Sequence, residues 1–258
     1  MHTHAPDGLE QYAKLLHLQL SMLLRHTPKH PIMYWCCYDL ADDRTTRVLE
    51  HAWWSAFANP LVSIIPHGTT KARLFRRAIL RNEIASNLDT TALAVWFGDV
   101  DTVWGPGALD AVSELAMAGK LPEISTPEKY YLNKTHAHGD AIIARTHGAP
   151  PFDEPEPLDQ ADFIQVKNDV VIGGQMILRA DIARQGYLDG NRKWQKEADP
   201  ARGFACFRCD VGYKKSQKAL GRQWARIKVP NVYRIRHAKS SMNPDGLPEK
   251  FRLGNNPA

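Results

Sequence analysis

The chain has 258 residues, 43% of them hydrophobic and 24% charged. These are ordinary globular values and exclude disorder, collagen and low-complexity fibres. No run approaches the ~18 apolar residues of a membrane span, and the polar start MHTHAPDGLEQY lacks the basic and apolar regions of a secretory signal. The expectation is a soluble cytoplasmic protein with no membrane partner.

The net charge of +5 conceals an asymmetry. Between Arg179 and Lys239 stand 16 Lys/Arg against 5 Asp/Glu, while the remainder is net acidic. A basic C-terminal third on an acidic body implies an anionic partner, either nucleic acid or a diphosphate-bearing substrate. The same third carries Trp194, Phe204, Phe207, Tyr213, Trp224 and Tyr233, and basic residues interleaved with aromatics suit phosphates and stacked bases. The four cysteines stand at 36, 37, 206 and 209. Adjacent Cys36 and Cys37 point to opposite faces of a strand, so they are poorly placed to complete a zinc site with Cys206 and Cys209. Buried thiols are the expectation.

In chain order, Leu9, Tyr12, Leu16, Leu20 and Leu23 recur at helical spacing and predict a helix over 9–25, ended by Pro28 and Pro31. Ile32 to Tyr38 is a short apolar run, the mark of a buried strand. Asp42 or Asp43 caps a helix to about residue 58, broken by Asn59-Pro60. Leu61 to Ile65 reads as a second strand and Pro66-His67-Gly68 as a turn. Thr69 or Thr70 then caps a long helix to about Asn87. Leu93 to Phe97 is a third strand, followed by Asp99, Asp101 and the breaker Gly105-Pro106-Gly107, then a helix near 108–118. This alternation predicts a parallel sheet with helices on both faces, whose ligands bind beyond the carboxyl ends of the strands. Tyr38-Asp39, His67-Gly68 and Asp99-Val100-Asp101 fall there.

Beyond residue 120 the pattern is weaker. Residues 150–159 form a Pro- and acid-rich loop, apolar pieces flank Gly173-Gly174, and 188–203 is polar. A helix is expected over 210–220 and a strand over 228–235, followed by His237 and a Pro/Gly/Asn-rich tail.

Asp99 and Asp101 carry the chemistry. Two carboxylates two residues apart on a turn form a site for a hard cation, which relieves their repulsion and can bridge nucleotide phosphates. The other reading of the pair is turn and cap aspartates. His136, His138 and His147 form a second metal candidate, with the irregular spacing of loop histidines.

The order of motifs is specific as a set. Arg81-Asn82 precedes the Trp96-Phe97-Gly98-Asp99-Val100-Asp101 strand end. Ile172-Gly173-Gly174-Gln175-Met176-Ile177-Leu178-Arg179 follows. Then come Cys209-Asp210-Val211-Gly212-Tyr213 opening a basic helix, and Tyr233-Arg234-Ile235-Arg236-His237. Over residues 31–240 this order resembles the GT-A glycosyltransferases, in particular the large, mostly inverting, family 2-like branch, with the viral DNA-modifying enzymes as one possible subgroup. The resemblance implies an α/β fold, a Rossmann-like, mixed but mainly parallel sheet flanked by helices in a single domain. It divides the chain into an N-terminal helical extension (1–30), a nucleotide-sugar-binding half (31–118), an acceptor and catalytic half (119–240) and a tail (241–258). It implies Mn²⁺ or Mg²⁺, held by Asp101, by Asp99 directly or through water, and by His237.

Donor contacts are implied for Tyr38 and Asp39 at the nucleobase, Arg77 and Arg81 at the ribose or phosphates, Asp99 at the ribose, and Gly173, Gly174 and Gln175 at the sugar. Asp210 is the implied general base, although the acidic pair usual at that point reads Arg208-Cys209-Asp210 here. The donor is expected to be a nucleotide sugar, a UDP-sugar foremost. Lys214, Lys215 and Trp194 are the acceptor candidates, and the basic third suits DNA whose hydroxymethylpyrimidine is flipped out to receive the sugar. Two other classes compete. A nucleotidyltransferase would want a glycine-rich phosphate loop where the acidic Tyr38–Asp43 segment stands, and a non-catalytic nucleic-acid-binding protein would need the basic third but not the paired aspartates.

Overall fold

The computed structural model describes residues 11–57, 59–74, 77–146, 158–168, 175–186, 209–222 and 224–237. The first half follows the sequence pattern closely. Helix α1 (Gln11–Arg25) leads to strand β1 (Ile32–Asp39), α2 (Asp43–Phe57) and β2 (Val62–Thr69). The Asp42 carboxylate caps α2, accepting from the Thr45 hydroxyl at 2.7 Å and from the Arg44 N–H at 3.2 Å. The expected long helix after β2 is α3 (Lys71–Leu74) and α4 (Arg77–Ser86). Strand β3 (Ala94–Gly98), a short β4 (Thr102–Trp104) and α5 (Ala108–Met117) complete this half.

Two expectations are corrected here. Pro66-His67-Gly68 is not a turn, because β2 runs straight through it to Thr69. The Ile32 N–H donates to the Leu61 carbonyl and the Leu40 N–H to the Thr69 carbonyl, so odd-numbered residues of β2 face β1. Pro66 therefore turns its missing donor to the outer edge of the strand, where proline is tolerated. The parallel sheet expected through all three first strands is also absent. β1 pairs only with β2, in parallel, while β3 belongs to another sheet. Rings of Tyr34, Trp96 and Trp104 stack edge to face at 5.6–6.2 Å beside the gap. There a cavity of about 530 Å³ opens between β1 and β3, lined by Trp35, Trp96, Phe97, Leu88 and Val112 among others.

The second half supplies elements that the sequence pattern did not disclose: β5 (Ile124–Pro127), β6 (Lys129–Asn133), α6 (His136–Arg145), a 3-10 turn at Gln160–Asp162 and β7 (Phe163–Lys167). Then come β8 (Gln175–Arg179), α7 (Ala180–Ala183), α8 (Cys209–Ala219), β9 (Trp224–Ile227) and β10 (Val232–Arg234). The strand expected over 228–235 is the shorter β10, and β9, just before that range, lies in the other sheet. Pro230 and the left-handed Asn231 (φ 52°) separate them. The sheets run β3-β8-β5-β9 and β4-β10-β6-β7. Of the seven ladders among the described residues, β1–β2, β5–β9 and β6–β10 are parallel and four are antiparallel. The fold is a mixed α/β domain with helices flanking mixed sheets.

The main core draws on α1, β1, α2, β4, α5 and β10, with Leu15, Leu16, Leu20, Val103, Val232 and Ile235 buried. Cys36 and Cys37 are buried thiols outside any disulfide, as expected. Among the described residues no helix is long and apolar enough to cross a membrane.

Candidate functional site

The site forms where β3 ends. Asp99 to Thr102 is a tight turn closed by the Thr102 N–H donating to the Asp99 carbonyl at 3.0 Å. Three elements hold it. From below, the Gln19 side-chain amide of α1 donates to the carbonyls of Thr102 and Asp99, the latter at 3.4 Å, while the Tyr34 hydroxyl of β1 donates to Gln19 Oε1 at 2.5 Å. From the side, β10 lies antiparallel to β4 with Arg234 opposite Thr102, and the Ile235 N–H donates to the Asp101 carbonyl at 2.8 Å. From behind, Tyr213 of α8 packs with Phe97 in a second buried cluster, bringing the early turns of α8 toward the end of β3.

Arg234, the last residue of β10, is delivered to Asp101, and His237, three residues beyond the strand, lies within electrostatic reach of it. The Arg234 Nε–H reaches Asp101 Oδ2 at 3.4 Å. Asp101 Oδ1 is buried and has no hydrogen-bond donor among the described residues. Burial pushes the Asp101 carboxyl above its ordinary range. The Arg234 guanidinium opposes this, the Asp99 carboxylate adds to it and His237 opposes it. His237 is 3% exposed, and burial lowers its pKa against the attraction of Asp101 and Asp140. An imidazole and two aspartate side chains are the resident chemistry. The residues fit a divalent cation as donors, since a buried carboxylate oxygen without a partner is satisfied by one. They do not form a closed cage: among the described residues no three His, Cys, Asp or Glu side chains make a metal-holding group.

The segment carrying His237 is latched by a residue the sequence did not single out. Asn133, fully buried at the end of β6, accepts from the Arg236 N–H at 2.6 Å and donates to the Arg236 carbonyl at 2.8 Å. The adjoining helix α6 comes so close that a Cβ on Gly139 would lie 1.9 Å from the Arg236 carbonyl oxygen. Gln19, Asn133 and Arg234 are the site residues missed. Gln19 had a signal, for it is a polar residue inside the Leu16/Leu20/Leu23 stripe, and Arg234 sat within the quoted C-terminal motif without a role.

Other expected residues fall as follows. Tyr38 and Asp39 end β1. Tyr38 shares a hydrogen bond with Thr46, and burial raises its pKa. Asp39 Oδ1 accepts from the Ala41 N–H at 3.2 Å. Arg81 is 1% exposed, its guanidinium 5.1 Å from the Phe97 ring centre, so it supports the β3 end from inside the core. Gln175 pairs with Gly98, one residue before Asp99, but its side chain is buried and bonded to Asn168 at 3.0 Å. Arg77 opens α4 and Asp210 is the second residue of α8; their side chains lie outside the described part, as do Gly173, Gly174 and Trp194. Lys214 and Lys215 are exposed on α8. His138 faces Asp162 at 3.8 Å, His136 adds a weak repulsion at His237, and His147 lies outside the described residues.

No family model and no curated protein matches the chain. Among solved structures the chain is similar to the apo form of mouse xyloside xylosyltransferase 1. The TM-score is 0.43 at 13% identity, over 88% of this chain and 82% of that chain.

Proposed function

We propose that the protein is a glycosyltransferase that moves a sugar from a nucleotide-sugar donor to a hydroxyl acceptor. One observation carries this reading. Two carboxylates on the turn after β3 meet Arg234 and His237 beside a buried Asp101 oxygen without a donor. A mere capping turn has no use for that arrangement, because an unsatisfied buried carboxylate oxygen costs stability.

In this reading Asp101, Asp99 and His237 would hold Mn²⁺ or Mg²⁺, which when bound would supply positive charge to a diphosphate leaving group. Gln19 and the Ile235 N–H fix the carboxylate turn before the donor arrives, so little reorganisation is needed on binding. Asp210, early in α8, takes the acceptor hydroxyl's proton as that oxygen attacks the anomeric carbon. The exposed Lys214, Lys215 and Lys218 of α8 favour a polyanionic acceptor, for which DNA bearing a hydroxymethylated base is the specific candidate.

The test is a thermal-shift screen with UDP- and GDP-sugars, each with Mn²⁺ and with EDTA. At a hundred times its dissociation constant a bound donor adds roughly 2.7 kcal/mol. A metal-dependent rise with one nucleotide class, lost in Asp101→Asn, is expected. No rise with any donor, together with a salt-sensitive rise on adding DNA, would replace the enzyme by a nucleic-acid-binding protein. Transfer of labelled sugar to hydroxymethylated but not unmodified DNA would establish the acceptor.

A further inference from the structure

Arg234 stands where a metal-binding carboxylate would ordinarily be kept clear of competing cations. Its backbone is fixed on both edges, opposite Thr102 of β4 and Leu132 of β6, and the next residue's N–H is bonded to the Asp101 carbonyl. Its Cα is therefore held beside the aspartate turn, while the side-chain torsions can still redirect the guanidinium. Yet the contact it makes is slight. A single Nε–H approaches one carboxylate oxygen at 3.4 Å, beyond the 2.7–3.2 Å of a good N–H···O bond and short of the two-point fork that arginine makes with carboxylates. Among the described residues its two η nitrogens have no hydrogen-bond partner, and the side chain is 29% exposed. On the other partner, Asp101 Oδ1 is likewise unused. Each member of the pair is half engaged.

We propose, resting on the donor reading above, that Arg234 is a diphosphate-binding residue that serves as the counter-cation of Asp101 until the donor arrives. It then yields the carboxylate to the divalent ion and turns its η N–H groups to a phosphate. The charge balance requires the two ligands to come together. Arg234 cannot discharge its proton. Asp99, Asp101 and Arg234, all ionised, leave one surplus negative charge, which a divalent cation alone would overturn and a cation with the doubly charged diphosphate of a nucleotide sugar would restore. Either ligand alone meets a mismatched site. Cation and diphosphate therefore bind cooperatively, and Arg234 is the residue that couples them.

Calorimetric titration of the full chain with Mn²⁺ alone, with UDP or GDP alone, and with each nucleotide in the presence of Mn²⁺ tests this. In the wild type, Mn²⁺ should tighten the preferred nucleotide by at least about tenfold. Arg234→Met keeps the aliphatic stem and removes the charge. It should bind Mn²⁺ alone about tenfold more tightly and the nucleotide with Mn²⁺ about tenfold more weakly, collapsing the cooperativity. Arg234→Lys keeps the charge without the fork, and should leave Mn²⁺ affinity unchanged while weakening the nucleotide. It carries the test should the methionine variant fail to fold. Unchanged nucleotide affinity in both variants overturns the proposal and leaves the glycosyltransferase reading standing. A wild type that binds no nucleoside diphosphate with or without Mn²⁺ overturns both.

Discussion

In the proposed reading, Asp101 is held for a partner at the expense of the ligand-free fold. Burial is the largest influence on its carboxyl and outweighs the help from Arg234, so its pKa in the folded state lies above the ordinary carboxylate value. A carboxyl whose pKa is raised on folding stabilises fully below the unfolded value near 3.9. That contribution disappears as pH rises through the folded value, where the protein must carry the buried charge. Asp101→Asn removes the charge but keeps a carbonyl oxygen for Arg234. Its melting temperature should match the wild type near pH 4 and exceed it by a few degrees at pH 7, at about 2–4 °C per kcal/mol for a chain of this size. Mn²⁺ with a bound donor should close that gap in the wild type and do nothing for the variant. A variant less stable than the wild type at pH 7 would show that the Arg234 ion pair outweighs burial. Gaining stability while losing the ligand response is the mark of a residue kept for function.

At the scale of elements, α1 does more than fill the core. Gln19 is a fully buried polar side chain that bridges two other elements, tying Tyr34 of β1 to the carbonyls of the aspartate turn. Gln19→Leu takes the acceptor from the buried Tyr34 hydroxyl and the side-chain donor from the Thr102 carbonyl. Roughly 1–3 kcal/mol is the cost of one such stranded group, so urea unfolding should show at least that loss. Donor affinity should weaken too, because the turn is no longer held in advance. Equal loss of stability with unchanged donor affinity would make Gln19 a core residue only. The sequence showed α1 clearly because its leucines keep a period of three to four over fifteen residues, and it showed β1 and β3 because both are apolar runs bounded by breakers. It did not show β4, β6 or β7, which are three to five residues long and exist through partners far away in sequence, as Thr102–Trp104 does through Val232–Arg234. Helix α6 was hidden by His136, His138 and Gly139 in its first turns. That glycine makes sense only once the Arg236 carbonyl lies against it. Asp99 and Asp101 were legible as local spacing, whereas Arg234, Asn133 and Gln19 act across 80 to 130 residues and needed the fold.

At the scale of the whole molecule, the feature that sets this chain apart from a continuous doubly wound sheet is the break between β1 and β3. The hydrogen-bond phase of each strand follows from its paired edge. Even-numbered residues of β1 face β2, and odd-numbered residues of β3 face β8, as the Ala180 N–H donating to the Leu93 carbonyl fixes. The amides of Met33 on β1 and of Ala94 and Trp96 on β3 therefore point toward the intervening cavity, while those of Tyr34 and Val95 sit in ladders. If the two units are joined through side-chain packing and the Tyr34–Gln19–Asp99 hydrogen-bond chain, the cavity-edge amides should exchange hydrogen at least about tenfold faster than their ladder neighbours, although all lie in strands. Residue-resolved hydrogen exchange decides it, with Met33 read against Tyr34 and Trp96 against Val95. Equal protection along both strands would mean that β1 and β3 pair directly in solution and the sheet is continuous. Faster exchange at the inner edges alone would mean that the β1–β2 unit can shift against the strand that carries the aspartates. Gln19 would then be the tie that sets the distance between Tyr38-Asp39 and Asp99-Asp101, and Gln19→Leu should speed exchange at Met33 and Trp96 further while leaving the ladder amide of Val95 unaffected.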